Sequence, residues 1–214
     1  MRHPIRVLVP AFAALAAAGT LTGCLGTTPT PDDVPQGSKS PSATASPSAA
    51  KAAAGSLGAP GSACALPVSF GLAADWKPAA VKITDDEAFA IIGKQGPATL
   101  VCEVDAKPAG NIGYLRVWTA GKGPARTALE GFVKAEESTS KVSYKETKAG
   151  ALPAVEVTYT VYNKLMEESK EERAFAVAAP KGTVIVHLGG LDTEEHREMI
   201  PAYDLARSTL KAEQ

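Results

Sequence analysis

The chain has 214 residues, 45% hydrophobic and 6% aromatic, with 22 basic against 23 acidic side chains and a net charge of −1. Removing a leader that carries Arg2 and Arg6 moves the balance to −3, so the chain offers no electrostatic footprint for nucleic acid, and none is expected as a partner. Beyond residues 7–19 no apolar run approaches membrane-spanning length.

The first segment has the grammar of an export signal. Arg2, His3 and Arg6 make a basic start, and residues 7–19 carry no charge. A helix of that length rises only about 20 Å against a hydrocarbon core of roughly 30 Å, so the segment is expected to be removed rather than to stay as a span. Leu21, Thr22, Gly23 and Cys24 follow. This stretch resembles the lipobox of bacterial lipoproteins. The resemblance implies cleavage after residue 23 and a diacylglyceryl group on the Cys24 thiol, which places the mature protein on the outer side of the cell membrane. The alternative is an ordinary thiol after an ordinary signal peptide. A single acyl chain holds weakly, so stable attachment comes from two or more.

From residue 24 to residue 62 Pro, Ser, Ala, Thr and Gly dominate, and Leu25, Val34 and Leu57 are the large apolar residues. Such a segment buries too little surface to offset the entropy of ordering it, which predicts a disordered tether. As a flexible coil its ends lie roughly 35 Å apart, with a stretched limit of about 125 Å. Its Ser, Thr and Pro also suit O-glycosylation, although the same composition serves as a bare linker. Residues 63–214 then suit one globular domain.

With Cys24 assigned to lipid, Cys64 and Cys102 form an even pair in an exported chain and are predicted to join, the alternative being two buried free thiols. Neither has a second Cys or His at zinc-ligand spacing, and no metal or other cofactor is expected.

In chain order, residues 68–70 read as a short strand, and residues 76–83 as an extended segment broken by Pro78. Thr84 with Glu87 is a candidate capping box for a helix to Ile92. Residues 99–105 alternate, placing Leu100, Cys102 and Val104 on one face. Residues 111–120 form the partner strand, with Ile112, Leu115 and Val117 as its apolar members, across a turn at 107–110. Pro124 opens a helix to about Glu137, with Ala125, Leu129, Phe132 and Val133 at helical spacing. Residues 141–148, 154–162, 172–179 and 183–189 are strands of a meander. In the second, Val155, Val157, Tyr159 and Val161 alternate with Glu156, Thr158, Thr160 and Tyr162, which predicts a sheet with one buried side. Asp192 and Glu195 cap a last helical segment, which Pro201 is expected to divide in two, the second half burying Tyr203, Ala206 and Leu210.

The expected fold is therefore α+β, one domain with a mainly antiparallel sheet covered by two or more helices. The lipobox, the Pro/Ser stalk, and Val68, Ser69, Phe70 followed by Asp75, Trp76, Lys77 resemble the small LpqN-type lipoproteins with a Mog1/PsbP-like fold. That resemblance implies a non-catalytic envelope domain that binds a protein partner or a small molecule.

Catalytic signals are weak. There is no Gly-x-Ser-x-Gly elbow, and after leader removal the histidines are His187, in a strand, and His196, on a charged helical turn, both read as structural or solvent-exposed. Gly189 and Gly190 lack the Lys-Ser or Lys-Thr of a phosphate loop and read as a strand exit. Glu167, Glu168, Glu171 and Glu172 are interrupted by Lys170 and lack EF-hand spacing, so they read as a solvated hairpin tip. Paired carboxylates of a glycosidase need not be neighbours in sequence, and the candidates are too many to rank. Trp76 reads as core. Tyr114, Arg116 and Trp118 share one strand face, which is either a binding face or core beneath a helix. The reading is a non-catalytic, lipid-anchored binding module, not an enzyme; the alternatives are an envelope hydrolase with scattered residues and an assembly factor of an envelope complex.

Overall fold

A computed structural model of the chain describes residues 53–82 and 93–213, which lie in one compact unit. The leader, Cys24, most of the tether and the helix expected over residues 84–92 lie outside the described residues.

The four late alternating segments pair in chain order: β7 (Thr139–Ala149), β8 (Leu152–Asn163), β9 (Glu168–Ala179) and β10 (Gly182–Gly190). Beyond β10 come β6 (Gly113–Ala120), β5 (Ala98–Asp105) and, on the edge, β3 (Lys77–Ala80), with the two-residue β4 (Lys94–Gln95) also on β5. Every pairing is antiparallel. Pro78 sits in β3, an edge position where a missing N–H is tolerated. A smaller sheet joins β1 (Gly55–Leu57), β2 (Val68–Leu72) and β11 (Lys211–Ala212). With α1 (Ala125–Lys134) and α2 (Thr193–Thr209), the described residues form an α+β domain, mostly antiparallel sheet.

The large sheet is buried on both sides, not one. Val184, Val186 and Leu188 of β10 join one core with Phe175, Tyr203 and the β1/β2 residues Leu57 and Phe70, while Ile185 joins a second core with Trp118, Leu129 and Phe132. The reason is position: β10 is the middle strand, covered by α2 on one face and α1 on the other. Its unbroken Val184, Ile185, Val186 run is the pattern of a strand buried on both faces. On β8, Val155, Val157, Tyr159 and Val161 do share a face, the one under α1.

A β-bulge between Leu100 and Cys102 corrects the second face assignment. Leu100 pairs with Trp118 but Cys102 pairs with Val117, so Leu100 enters the α1 core while Cys102 and Val104 enter the α2 core. One extra residue in a strand flips every side chain after it. Cys102 is thereby turned towards the small sheet, where it forms a disulfide with Cys64.

The folded domain includes residues before the expected boundary at residue 63. β1 lies within the segment read as tether, and Leu57 is fully buried. One large apolar side chain with a strand to pair on, β2, is enough to fix those residues. Pro201 does not divide the last helix: α2 runs unbroken through it. Asp192 caps α2 by accepting from the Glu195 N–H at 2.9 Å, whereas the Glu195 carboxylate accepts from Ile112 N at 2.9 Å rather than completing the box. The turn of β7 into β8 needs Gly150, whose φ is 54° and whose Cβ, were there one, would lie 1.9 Å from the Leu210 carbonyl oxygen.

Candidate functional site

Residues on β9 point alternately to the two cores, and their polar members make two different constellations. On the α1 side, Glu172 is 5% exposed, Tyr159 2% and His187 6%. The Glu172 carboxylate accepts from His187 Nε2 and from the Tyr159 hydroxyl at 3.4 Å, and its other oxygen pairs with Lys170 Nζ at 2.7 Å. Lys170 also donates to the Gly190 carbonyl at 3.1 Å. Burial by itself raises the Glu172 carboxyl, but His187 and Lys170 outweigh it and hold it at about 2. Burial, then the Glu172 charge, pushes the Tyr159 hydroxyl well above its usual value.

This network corrects one expectation: Glu172 belongs to the interior rather than to a solvated hairpin tip. His187, read as structural or solvent-exposed, is a buried partner of it. The Glu172 carboxylate, the Tyr159 hydroxyl and His187 Nε2 are occupied by one another, while the buried His187 Nδ1 has no hydrogen-bond partner; among the described residues no Ser or Cys side chain is bonded to His187, so no nucleophile and base are paired there. Three strands are tied together by it. Past the end of α1, burial and the Glu172 charge raise the Glu136 carboxyl, and Glu136 and Lys170 line a cavity of about 330 Å³.

On the α2 side the balance is different. A cavity of about 300 Å³ is lined by residues including Lys141, Thr158, Thr160, Glu171, Arg173 and His196. A bulge in β7 between Ser140 and Ser143 places Lys141 there, in a left-handed conformation with φ of 52°. The Glu171 carboxylate is taken by Arg197, at 2.7 and 3.1 Å. The Arg173 guanidinium lies over the Tyr203 ring at 5.7 Å, and its buried Nε has no hydrogen-bond partner among the described residues. The nearest carboxylate on the neighbouring strand, Glu156, accepts instead from the Tyr203 hydroxyl at 3.0 Å. His196 is 1% exposed and its Nδ1 is also unpartnered. Burial and then Arg173 hold this imidazole down to about 4, so it is neutral at pH 7. Its backbone sits so close to Gly190 that a Cβ there would be 2.9 Å from His196 N.

The strand face Tyr114, Arg116, Trp118 is divided. Trp118 is 4% exposed, packed edge-on against Phe132 at 5.3 Å, and so belongs to the core under α1. Arg116 pairs with Glu103 at 2.8 Å and lies over the Tyr114 ring at 5.2 Å. Trp76 is core, 7% exposed. Further cavities include one of about 660 Å³ along the small sheet, walled by Phe70, Gly71, Leu152 and Leu210, and one of about 310 Å³ beside Trp76 and Met199. Neither gathers cations that lack partners. Among the described residues no cluster of His, Cys, Asp and Glu has the makings of a metal site.

Sequence reasoning missed Lys141, Arg173 and the buried roles of Glu172 and His196. A charge at an inward position of a strand, Arg173 between Glu171 and Phe175, is the signal that was present.

No described helix is long and apolar enough to cross a membrane. Neither a curated protein nor a solved structure matches the chain. A family model described as an uncharacterised lipoprotein matches residues 34–210, most of the sequence, and the chain belongs to that lipoprotein family.

Proposed function

We propose that this lipoprotein is a binding module of the cell envelope, acylated at Cys24, held outside the cell membrane on its tether, and without chemistry of its own. The observation that carries the reading is the cavity lined by Lys141, Arg173 and His196, beside which Arg173 Nε and His196 Nδ1 have no hydrogen-bond partner among the described residues. Buried polar groups are nearly always satisfied, and those left open beside a cavity are the natural complement of a ligand. The disulfide of Cys64 with Cys102 agrees with an exported location. Native mass spectrometry of the full chain, purified from membranes in detergent, tests both parts. A mature N-terminus at Cys24 bearing acyl chains, with a small molecule retained by the native protein and lost from Arg173→Gln, is the expected result. An unacylated chain with an intact leader would overturn it.

A second reading, an envelope hydrolase, draws on the opposite directions of Glu136, raised, and Glu172, lowered to about 2, since carboxyls pushed apart in this way can divide acid and base roles. It requires activity that disappears in both Glu136→Gln and Glu172→Gln while the chain stays folded.

A further inference from the structure

We infer that the cavity between β7, β8, β9 and α2 is a phosphate-binding site, in which Lys141 and Arg173 share the charge of a phosphate group and the hydroxyls of Thr158 and Thr160 complete its hydrogen bonds. This rests on the reading of the protein as a binding module and names the chemistry of its ligand.

The argument begins with charge. Lys141 and Arg173 line one cavity, and among the described residues neither makes an ion pair. The carboxylates that line the cavity, Glu171 and Glu172, are already engaged, the first by Arg197 and the second by His187 and Lys170, and Glu156, on the same face as Arg173, accepts from Tyr203. Two cations therefore face a space whose own acids are spent. A phosphate monoester carries about −1.5 to −2 at neutral pH and presents three strong acceptor oxygens, which two cations match better than a single carboxylate would.

Geometry supplies the donors. The Arg guanidinium is a rigid fork of donors suited to two oxygens at once, and here it makes no hydrogen bond or ion pair among the described residues, its inner donor Nε being buried. The contact with the Tyr203 ring, 5.7 Å from the guanidinium carbon to the centroid, steadies the fork beside the cavity that Arg173 lines. Thr158 and Thr160 lie on the same β8 face, two residues apart, as side chains lining one cavity must. His196, almost completely buried, adds the second unpartnered polar atom, Nδ1.

The bulge explains how Lys141 reaches this place. Three residues of β7 span the distance of two on β8 between the Ser140 and Ser143 pairings, and Lys141 takes a left-handed φ that side chains rarely adopt. A regular strand would not need it.

His196 is also the reporter. The groups that act on it are Arg173, Glu171 and Glu172 of β9 and His187 of β10, with Arg173 the strongest charge. A bound phosphate compensates Arg173 and brings negative charge close to the ring, which raises the imidazole above its value of about 4.

The test is histidine-resolved NMR of the full chain in detergent, titrated at constant ionic strength with inorganic phosphate, with glycerol phosphate, and with glucose as an uncharged probe. Saturable movement of the His196 resonances by either phosphate, with a raised His196 pKa, is the expected result. Lys141→Gln, at an exposed residue, should weaken saturation by about tenfold, and Arg173→Gln by more. Movement by inorganic phosphate places a free anion in the site; movement by glycerol phosphate alone places an esterified one, such as a headgroup. Movement by glucose alone overturns the phosphate inference and keeps the binding cavity. No movement with any probe overturns the inference and removes the cavity as support for the binding reading.

Discussion

Glu172 and Arg173 are neighbours in β9 that serve opposite faces of the sheet: the carboxylate is held by His187, Tyr159 and Lys170, while the guanidinium lies over the Tyr203 ring and makes no ion pair among the described residues. Strand geometry makes this possible, because successive side chains alternate between faces. On one face the charges of Glu172 and Lys170 pair within the sheet; on the other, Arg173 lines a cavity.

Stability should fall as pH drops from about 7 to 4. A histidine in an unfolded chain titrates near 6.5. In the fold His196 titrates at about 4. Between those values the unfolded chain takes up a proton that the folded chain refuses, so this contribution is complete above about pH 6.5 and lost on the way down to 4. Its size is at most about 3 kcal/mol. Glu172, lowered to about 2, contributes above the usual carboxylate range and is lost only below it, which separates the two. Urea unfolding at pH 7 and pH 4.5 checks this, and His196→Phe should flatten the slope.

Glu172→Gln removes the charge that neutralises Lys170 beside His187 in a buried setting. Breaking one partner of such a pair costs about 3 to 5 kcal/mol. Tyr159→Phe, which removes the hydroxyl's contacts with Glu172 at 3.4 Å and His187 Nε2 at 3.2 Å but no charge, should cost about 1 to 2 kcal/mol. Comparing the two midpoints in guanidinium shows whether the network is held by charge or by hydrogen-bond count.

Reducing the disulfide frees a loop with a sequence separation of 38 and unties the small sheet from β5. The loss expected from chain entropy is about 4 kcal/mol. Thermal unfolding with and without reductant measures it, and a Cys64→Ser, Cys102→Ser double variant should match the reduced protein.

Pro201→Ala should stabilise α2. Pro201 lies inside the helix with its side chain exposed, where it cannot donate to the preceding turn. Alanine restores a donor and a better propensity, a gain of about 1 to 3 kcal/mol. An unchanged or lowered melting temperature would mean that the ring packs against the cavity it shares with Trp76 and Met199.

Much of this domain was legible from local pattern. Alternation located β5 and β8, β-branched and aromatic content located the other late strands, the spacing of Leu129, Phe132 and Val133 located α1, and Asp192 marked the start of α2, because each signal depends on residues close in the chain. Covering was not legible. Whether Trp118 is a surface or a core residue depends on α1 lying across it, and whether Glu172 is solvated depends on His187 arriving one strand away. The β5 bulge moved Leu100 to the face opposite Cys102 without any composition change to announce it.

The candidate site shows the same division. Its members come from β7, β8, β9 and α2, and none is close to another by a motif spacing that sequence alone would pick out.

By itself the sequence determined the kind of chain this is: an α+β domain of a lipoprotein, a pair of cysteines that meet, and most of the strands in their order. Periodicity and composition act over a few residues and survive without coordinates. Only the tertiary structure decided which face of each strand is covered and which charges find partners, because burial and pairing depend on what arrives from distant parts of the chain.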